Sequence, residues 1–524
     1  MHDVGVTIVE QEPEIRDGHP KGRSNDLRTL EHYRRWRVSD ELRGLGWQTR
    51  NPRQQLILTE TLLEKPLGAY PLQYGRHAEE SHDLAAEPSF SVPQPITMRV
   101  LQKRALELNA SIFRGWKVVS VCQGDEEAEV QLQCPATGAV RWIRSKYVVG
   151  CDGPGSLVRK SAGIKQKCVG PIGRVVSYVV RSEGHKIGDM VNSPAHDSLG
   201  MLMVLNSNVT TIISIPGEEA WGFSITIPAD APDPTDGEVQ SFGQAVLGAK
   251  AKFDIVSLSS FQVLTRVAES YRNGRLFIAG DAAHLCPPTG GHNMNVGIED
   301  AVNLAWKLAA SLKGWGGETL LDSYDAERRA VGEHVAGSAL NNSYAMRKVD
   351  ELFKGLPSLD ENASELQRYR RGQLAYDMTN AQWNINGIVL GQSYNKSRVV
   401  VNDGWDPAPY DPTRVCPHAN PGHRAPHLWL PDGSPLLDHL GAVFTLLEVG
   451  AAKQDVQKLV EAAIQVGLPL TRLQLSPSVA RRKYPAEITI IRPDQYISWQ
   501  GNHCEDPVLV IDRIRGHLNN GTKW

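Results

Sequence analysis

No stretch of this 524-residue chain approaches the roughly 18 consecutive apolar residues of a membrane-spanning helix. Nor does it carry much charge of one sign. Its 56 Lys and Arg against 59 Asp and Glu leave a formal −3, which argues against nucleic acid or an anionic membrane surface as the main partner. The N-terminus lacks a basic segment followed by an apolar one, so no secretory signal is expected. Cysteine is scarce. The seven cysteines, at positions 122, 134, 151, 168, 286, 416 and 504, are widely spaced and form no CxxC. That pattern points away from a disulfide framework and fits reduced thiols in a cytoplasmic protein. What remains is 41% hydrophobic and 22% charged, and long enough for two or three globular domains.

The densest local signal begins at Gly274. Asn273-Gly274 marks a turn, Leu276 to Ala279 has the length and apolarity of a buried parallel strand, and Gly280-Asp281 ends it. A Pro287-Pro288-Thr289-Gly290-Gly291 turn follows. Beyond it Ile298, Ala301/Val302, Ala305, Leu308/Ala309 and Leu312 recur at helical spacing and predict a long amphipathic helix. A helix entered through a glycine-rich loop presents unpaired backbone N–H groups and the positive end of its dipole, which suits an anionic ligand. The Asp281 carboxylate is at the same time an acceptor for ligand hydroxyls.

From Gly274 to Ala301 the run resembles the second FAD motif of the single-component flavin-dependent aromatic hydroxylases, the class that includes para-hydroxybenzoate and phenol hydroxylases. One position departs from it. The family usually has glycine where Asn293 stands, and Asn is among the residues that tolerate a positive φ. The resemblance implies FAD as cofactor, with Gly280, Asp281, Gly291, Met294 and Asn295 at the flavin. It also matches Pro288 to a proline whose backbone carbonyl faces the reacting oxygen. Matching segments extend over nearly the whole chain. Arg28, in Arg28-Thr29-Leu30-Glu31, matches an arginine placed against FAD, and Gln94, opening a helix at Pro95, matches a glutamine on the ribityl chain. Lys146 to Gly153 reads as an apolar strand ending in Asp152-Gly153, similar to the family motif associated with FAD and NAD(P)H.

The first residues carry a gap in the pattern. Val4 to Glu10 is β-rich and ends in a carboxylate, like the second strand of a Rossmann unit whose acid holds the adenosine ribose. That arrangement places a strand, a GxGxxG turn and a helix upstream, with the glycines about 20 residues before the acid. Only nine residues precede Glu10, and they contain no GxGxxG. A misplaced start codon, a genuine truncation and a different role for this strand all stay open.

Short alternating runs at Val175–Val180, Met201–Leu205, Thr210–Ile215 and Trp221–Ile227 predict an antiparallel sheet, the usual substrate-covering layer in this class. Tyr178 on that sheet is one guess at a base for a phenol. The Pro/Gly/His-rich stretch from Asp406 to Pro431 reads as a linker. Cys416, His418, His423 and His427 within it fit no common metal spacing. Pro421 to His427 and Ile488 to Trp499 resemble the family's C-terminal thioredoxin-like domain, and the absence of CxxC removes thiol redox chemistry from it.

The expected fold is α/β within an α+β multidomain chain. A Rossmann-like FAD-binding domain comes in three pieces (1–75, 94–170, 269–345), joined by a substrate-domain segment (76–93) and a substrate-binding sheet (171–268). A helical connector (346–405) and a thioredoxin-like domain (406–524) complete it. The resemblance implies a monooxygenase that uses NAD(P)H and O2 to hydroxylate a phenolic or polyketide-like aromatic ring through a flavin C4a-hydroperoxide. A homodimer is an open option. Baeyer–Villiger chemistry on the same fold, a flavin reductase, and a truncated non-catalytic homologue are the alternatives.

Overall fold

The computed structural model describes residues 2–16, 22–46, 55–60, 65–71, 83–87, 90–181, 199–205, 210–215, 220–247, 253–357, 359, 362–402 and 410–517. Its parallel strands form two separate pieces. Strand β1 (Thr7–Glu10) runs parallel to β2 (Ser111–Arg114), and β3 (Val148–Gly150) runs parallel to β4 (Leu276–Ile278). Among the described residues no ladder joins β1 to β3. Val9 and Val148 nevertheless pack on the same core, built around Leu276, Phe277, Ile278 and Tyr324. Apolar residues on the two free edges stay open, with Val6, Ile8 and Val149 at 51%, 39% and 38% exposure.

Two helices flank this region. Helix α1 (Leu27–Arg35) is capped by Asp26, whose carboxylate accepts from the Thr29 N–H. Helix α2 (Gln94–Glu107) carries Pro95 in its first turn, as its sequence predicts.

The substrate layer is an eight-stranded sheet. Across it lie His284–Leu285, Asp254–Ala268, Gln166–Arg181, Ala220–Ile227, Thr210–Ile215, Leu199–Val204, Gln55–Thr59 and Gly68–Pro71. The sheet is antiparallel except at one pair, Leu199–Val204 beside Gln55–Thr59. The last two strands lie within 55–71, which sequence reasoning grouped with the FAD-binding piece ending at 75. Half of the 76–93 segment falls outside the described residues.

Helix α3 (Asp236–Leu247) covers one face of the sheet, burying Val176, Tyr178, Val180, Trp221 and Phe223 against Val239 and Phe242. Full burial of each such large side chain contributes about 1.5–3 kcal/mol. Tyr178 is therefore part of an apolar layer under α3, stacked on Phe223 at 5.1 Å between ring centroids. It is not placed to ionise a substrate. The other face buries Leu56, Leu58 and Met203 against residues such as Val349, Phe353 and Trp383 of the long helices described next.

Helix α4 (Asn293–Leu312) follows the Gly280-Asp281 turn and leads into α5 (Glu318–Lys354), then α6 (Glu365–Trp383). The buried stripe of α4 is not the expected one. Val296, Asp300, Asn303, Lys307 and Ala310 face inward, while Ala301, Ala305 and Leu312 are exposed. Apolar periodicity misplaces the stripe because its charged members are buried with partners: Lys307 Nζ donates to Glu327 at 2.7 Å, and Arg328 Nε to Asp300 at 2.7 Å.

The C-terminal sheet is ordered Leu470–Leu475, Phe444–Val449, Ile488–Ile491, Ile497–Gly501, parallel for the first pair and antiparallel for the rest. With α7 (Lys453–Gln465) and α8 (Pro507–Ile514) it forms the thioredoxin-like layer. Its core is continuous with the body of the protein, since Phe444, Leu446 and Ile490 share one cluster with Trp306 of α4 and Leu320 of α5.

Candidate active site

Gly280 turns the chain at the end of β4 with φ 59°, a conformation that favours glycine. Gly297 of α4 lets the helix pass close by, because a Cβ there would lie 3.2 Å from Gly280 Cα. The turn is held from below by Asp300. Its Oδ2 accepts the Gly280 N–H at 3.0 Å and contacts His284 Nε2 at 2.7 Å, while its Oδ1 accepts Arg328 Nε at 2.7 Å. Burial alone would raise the Asp300 carboxyl, but His284 and Arg328 beside it hold it below its ordinary range. Sequence reasoning missed this clamp. Its signal was there: an acidic residue inside an apolar-periodic helix, followed by Arg328 on the next.

Asp281 differs from Asp300. It is half-buried, and burial pushes its carboxyl upward, offset only in part by His284. No described residue donates to its side chain. A carboxylate drawn out of water and left without a protein donor suits a ligand that brings hydroxyls, which is how a ribityl chain would meet it.

The loop into α4 uses two left-handed glycines, Gly290 (φ 94°) and Gly291 (φ 69°), and the Pro288 carbonyl accepts the Gly291 N–H at 3.0 Å. Pro288 and Gly291 are exposed at the loop tip. Asn293 does not hold a positive φ. It is the first residue of α4 and clamps Cys286 in both directions, accepting its N–H at 3.1 Å and donating to its carbonyl at 2.8 Å. Thr289 Oγ1 ties the loop to α5 through the Ala339 carbonyl at 2.6 Å. His292 is buried with no partner for Nε2 among the described residues, and burial pushes it down to about 4.

The predicted residues fall into two groups. Gln94 and Met294 converge, since a Cβ at Gly22 would meet Met294 Sδ at 3.8 Å and Gln94 Oε1 at 4.0 Å. Gly280 and Asp281 lie against the same helix, α4, through Gly297. Glu10 ends β1 half-buried, with Oε1 accepting the Glu12 N–H at 2.9 Å.

Three others are spoken for by the protein. The Asn295 side chain accepts from the Asp26 N–H (3.1 Å) and Thr29 Oγ1 (2.8 Å), and donates to the carbonyls of Ser24 (3.0 Å) and Gly291 (2.9 Å). Only its backbone is left for a ligand. Asp152, beside left-handed Gly153 (φ 76°), accepts the N–H groups of Leu157 and Val158 at 2.6 and 3.2 Å, the first donors of the short helix Leu157–Ser161, whose N-cap is Ser156. Arg28 is 1% exposed and donates to Glu31 (2.9 Å), Gln495 (2.7 Å) and the Asp494 carbonyl (2.7 Å). It bonds the C-terminal domain rather than facing an open groove.

Comparison with known proteins bears directly on this site. Residues 1–339 match the family model described as an FAD binding domain, and residues 418–517 the one described as the C-terminal part of aromatic-ring hydroxylases. The FAD-dependent monooxygenase apdD of Emericella nidulans is 29% identical over 96% of this chain and 85% of its own length. The 4-methyl-5-nitrocatechol 5-monooxygenase of a Burkholderia species is 28% identical over 95% and 91%. RebC with bound 7-carboxy-K252c superposes with a TM-score of 0.85 at 25% identity, covering 99% of this chain and 95% of that one. The flavin-dependent monooxygenase PieE gives 0.89 at 23% identity over 99% and 96%, a likeness of fold. No described helix is long and apolar enough to cross a membrane. An acceptor turn at Asp281, a glycine-entered helix beside it and a family match over most of the chain converge on one assignment: this chain belongs to the FAD-binding-domain family of flavin-dependent monooxygenases.

Proposed function

We propose that this enzyme hydroxylates an electron-rich aromatic ring, phenolic or polyketide-like, with NAD(P)H and O2 as co-substrates, in the cytoplasm. The observation that carries the reading is the Asp281 carboxylate, half-buried and without a donor among the described residues, beside the glycine-entered N-terminus of α4. The substrate class draws support from relatives such as the nitrocatechol monooxygenase and a putative polyketide hydroxylase of Streptomyces halstedii, 28% identical over 94% of this chain. The scarcity and wide spacing of the seven cysteines, with no CxxC, agree with a reducing compartment.

Bound FAD supplies the acceptance of a hydride and the activation of O2, which no amino-acid side chain provides. The protein's part is binding, orientation and electrostatics. Asp281 would accept hydroxyl donors of the ribityl chain, Gln94 and Met294, which meet beside Gly22, would border the cofactor, and Glu10 would take the ribose at the end of β1. The first-turn N–H groups of Met294 and Asn295 have no carbonyl one turn back within the helix. With the positive end of the helix dipole, they stabilise negative charge at the ring system. The exposed Pro288 at the loop tip marks the side from which the aromatic substrate approaches. The sheet face opposite α3 offers the paired hydroxyls of Ser177 and Ser224, 3.1 Å apart.

The test is isotopic. The FAD-loaded chain, given NAD(P)H and 18O2 with a panel of phenols and polyketide-type rings, is expected to return a product carrying one labelled oxygen on the ring. Consumption of NAD(P)H with only peroxide formed across the panel would sink the proposal. A labelled ester from a ketone substrate would replace it with Baeyer–Villiger chemistry.

A further inference from the structure

Helix α1 touches the C-terminal domain and the first turns of α4 through different atoms of the same few residues. Toward the C-terminal domain, Arg28 donates to Gln495 Oε1 and to the Asp494 carbonyl, each at 2.7 Å. Arg424 closes a two-pronged contact on Glu31, one prong at 2.9 Å. Toward α4, the Asp26 N–H and Thr29 Oγ1 converge on Asn295 Oδ1, and Arg28 Nε lies 3.3 Å from Glu299. Asn295 in turn reaches back to the Gly291 carbonyl in the loop that opens α4. Gln495 is buried and held at φ 66°, a conformation uncommon for a residue with a side chain. Its amide thereby meets Arg28.

We infer that α1 is a strut through which the C-terminal domain sets the position of the α4 N-terminus, and that Gln495, Arg28 and Thr29 are positioning residues for the FAD site. The inference rests on the FAD reading given above. Thr29 acts through Asn295 and the Gly291 loop, and Gln495 acts on α1 through Arg28, whose Nε faces Glu299 of α4. The aromatic-ring hydroxylase C-terminal region is then a working part of the cofactor site.

The experiment is an FAD titration of the full chain stripped of cofactor, read by flavin fluorescence and by the visible circular dichroism of the bound flavin. Gln495→Ala and Thr29→Val each remove one link, and each is expected to weaken FAD binding about tenfold. The double variant is expected to bind no worse than the weaker single, because both cut one relay. Gln495→Glu keeps an acceptor for Arg28 and should stay close to the wild type. Ile490→Val, a core change in the same domain that leaves the strut intact, separates positioning from general loss of stability and should leave FAD affinity unchanged. Gln495→Ala binding FAD like the wild type, multiplicative single effects, or an equal loss in Ile490→Val would each overturn the inference. A wild-type chain that takes up no FAD would overturn the cofactor reading itself, an outcome distinct from the others.

Discussion

Replacing Asp26 by Asn should stabilise the protein at neutral and alkaline pH and do progressively less as the pH falls. Asp26 caps α1, accepting the Thr29 N–H at 2.8 Å, and is 8% exposed. Burial raises its carboxyl from 3.8 to about 7, with Glu299 adding to the rise and the Thr29 N–H and Arg28 opposing it. A carboxyl raised in the folded state binds its proton there more tightly than in the unfolded chain. Between the two values the native state holds more protons, so unfolding free energy falls as pH rises through that window and levels off above it. Each pH unit of displacement corresponds to about 1.4 kcal/mol. The native state therefore carries a penalty of about 4 kcal/mol at pH 8 and only about 1 kcal/mol near pH 4.5.

Asn is as good an N-cap as Asp and keeps the acceptor for Thr29, so the substitution deletes the penalty without deleting the cap. Any fixed cost of placing the new amide group shifts both ends of the pH series equally. The assay is urea denaturation of both chains at several pH values, with the difference in unfolding free energy plotted against pH. A rise of about 3 kcal/mol from the acid to the alkaline end is expected. A difference that stays flat across the series, or an Asp26→Asn chain less stable at pH 8 than at pH 4.5 relative to wild type, would refute the reasoning.

Asp281→Asn keeps the shape of the turn but removes its charge, and FAD affinity should drop about tenfold by fluorescence titration. An unchanged affinity would remove Asp281 from the site. Asp300→Asn takes the counter-charge from the buried Arg328 guanidinium, which keeps neutral partners in Tyr394 Oη and the Val296 carbonyl, and should cost about 3–5 kcal/mol. A loss under about 1 kcal/mol in denaturant would show that the clamp does not depend on charge. Gly297→Ala would press a methyl group on Gly280 Cα, so FAD binding should weaken while the melting temperature barely moves. The reverse outcome would mean that the close approach serves packing alone. Asn293→Gly gives up its side-chain bonds to Cys286 and should lower stability by about 1–2 kcal/mol, measurable as a shift in the thermal midpoint.

How much of this was legible depended on sequence distance. The strand Leu276–Ile278, the Gly280-Asp281 turn and α4 could be read directly, because turn chemistry and periodicity act within a few residues. The C-terminal partners of Arg28 were not legible because they lie far along the chain, at Asp494 and Gln495, and no local pattern announces them. The buried stripe of α4 was displaced for a related reason. Asp300 and Lys307 look like solvent residues until Arg328 and Glu327 arrive from α5 to pair with them. At Asn293 a backbone explanation was expected where the structure shows a side-chain one. Tyr178 looked chemical because it is polar-tipped, and alternation alone did not say which face of the sheet α3 would cover.

The strands Gln166–Arg181 and Asp254–Ala268 also have a mechanical role. They pair antiparallel almost throughout, and at about 3.3 Å per residue the longer one spans roughly 50 Å. One end of this ribbon also pairs with His284–Leu285, just past the Gly280-Asp281 turn, and the other carries the layer under α3. A doubly hydrogen-bonded ribbon of that length resists rotation as a stiff beam, so cofactor and substrate layers must move together. Its register breaks between Ile255 and Ser257 and again between Val263 and Thr265, and only the second, opposite Gly170 to Ile172, falls between the two layers. Rearrangements during turnover should therefore be torsion about that second break or shifts of the Pro287–Gly291 loop, rather than a clamshell opening of two domains.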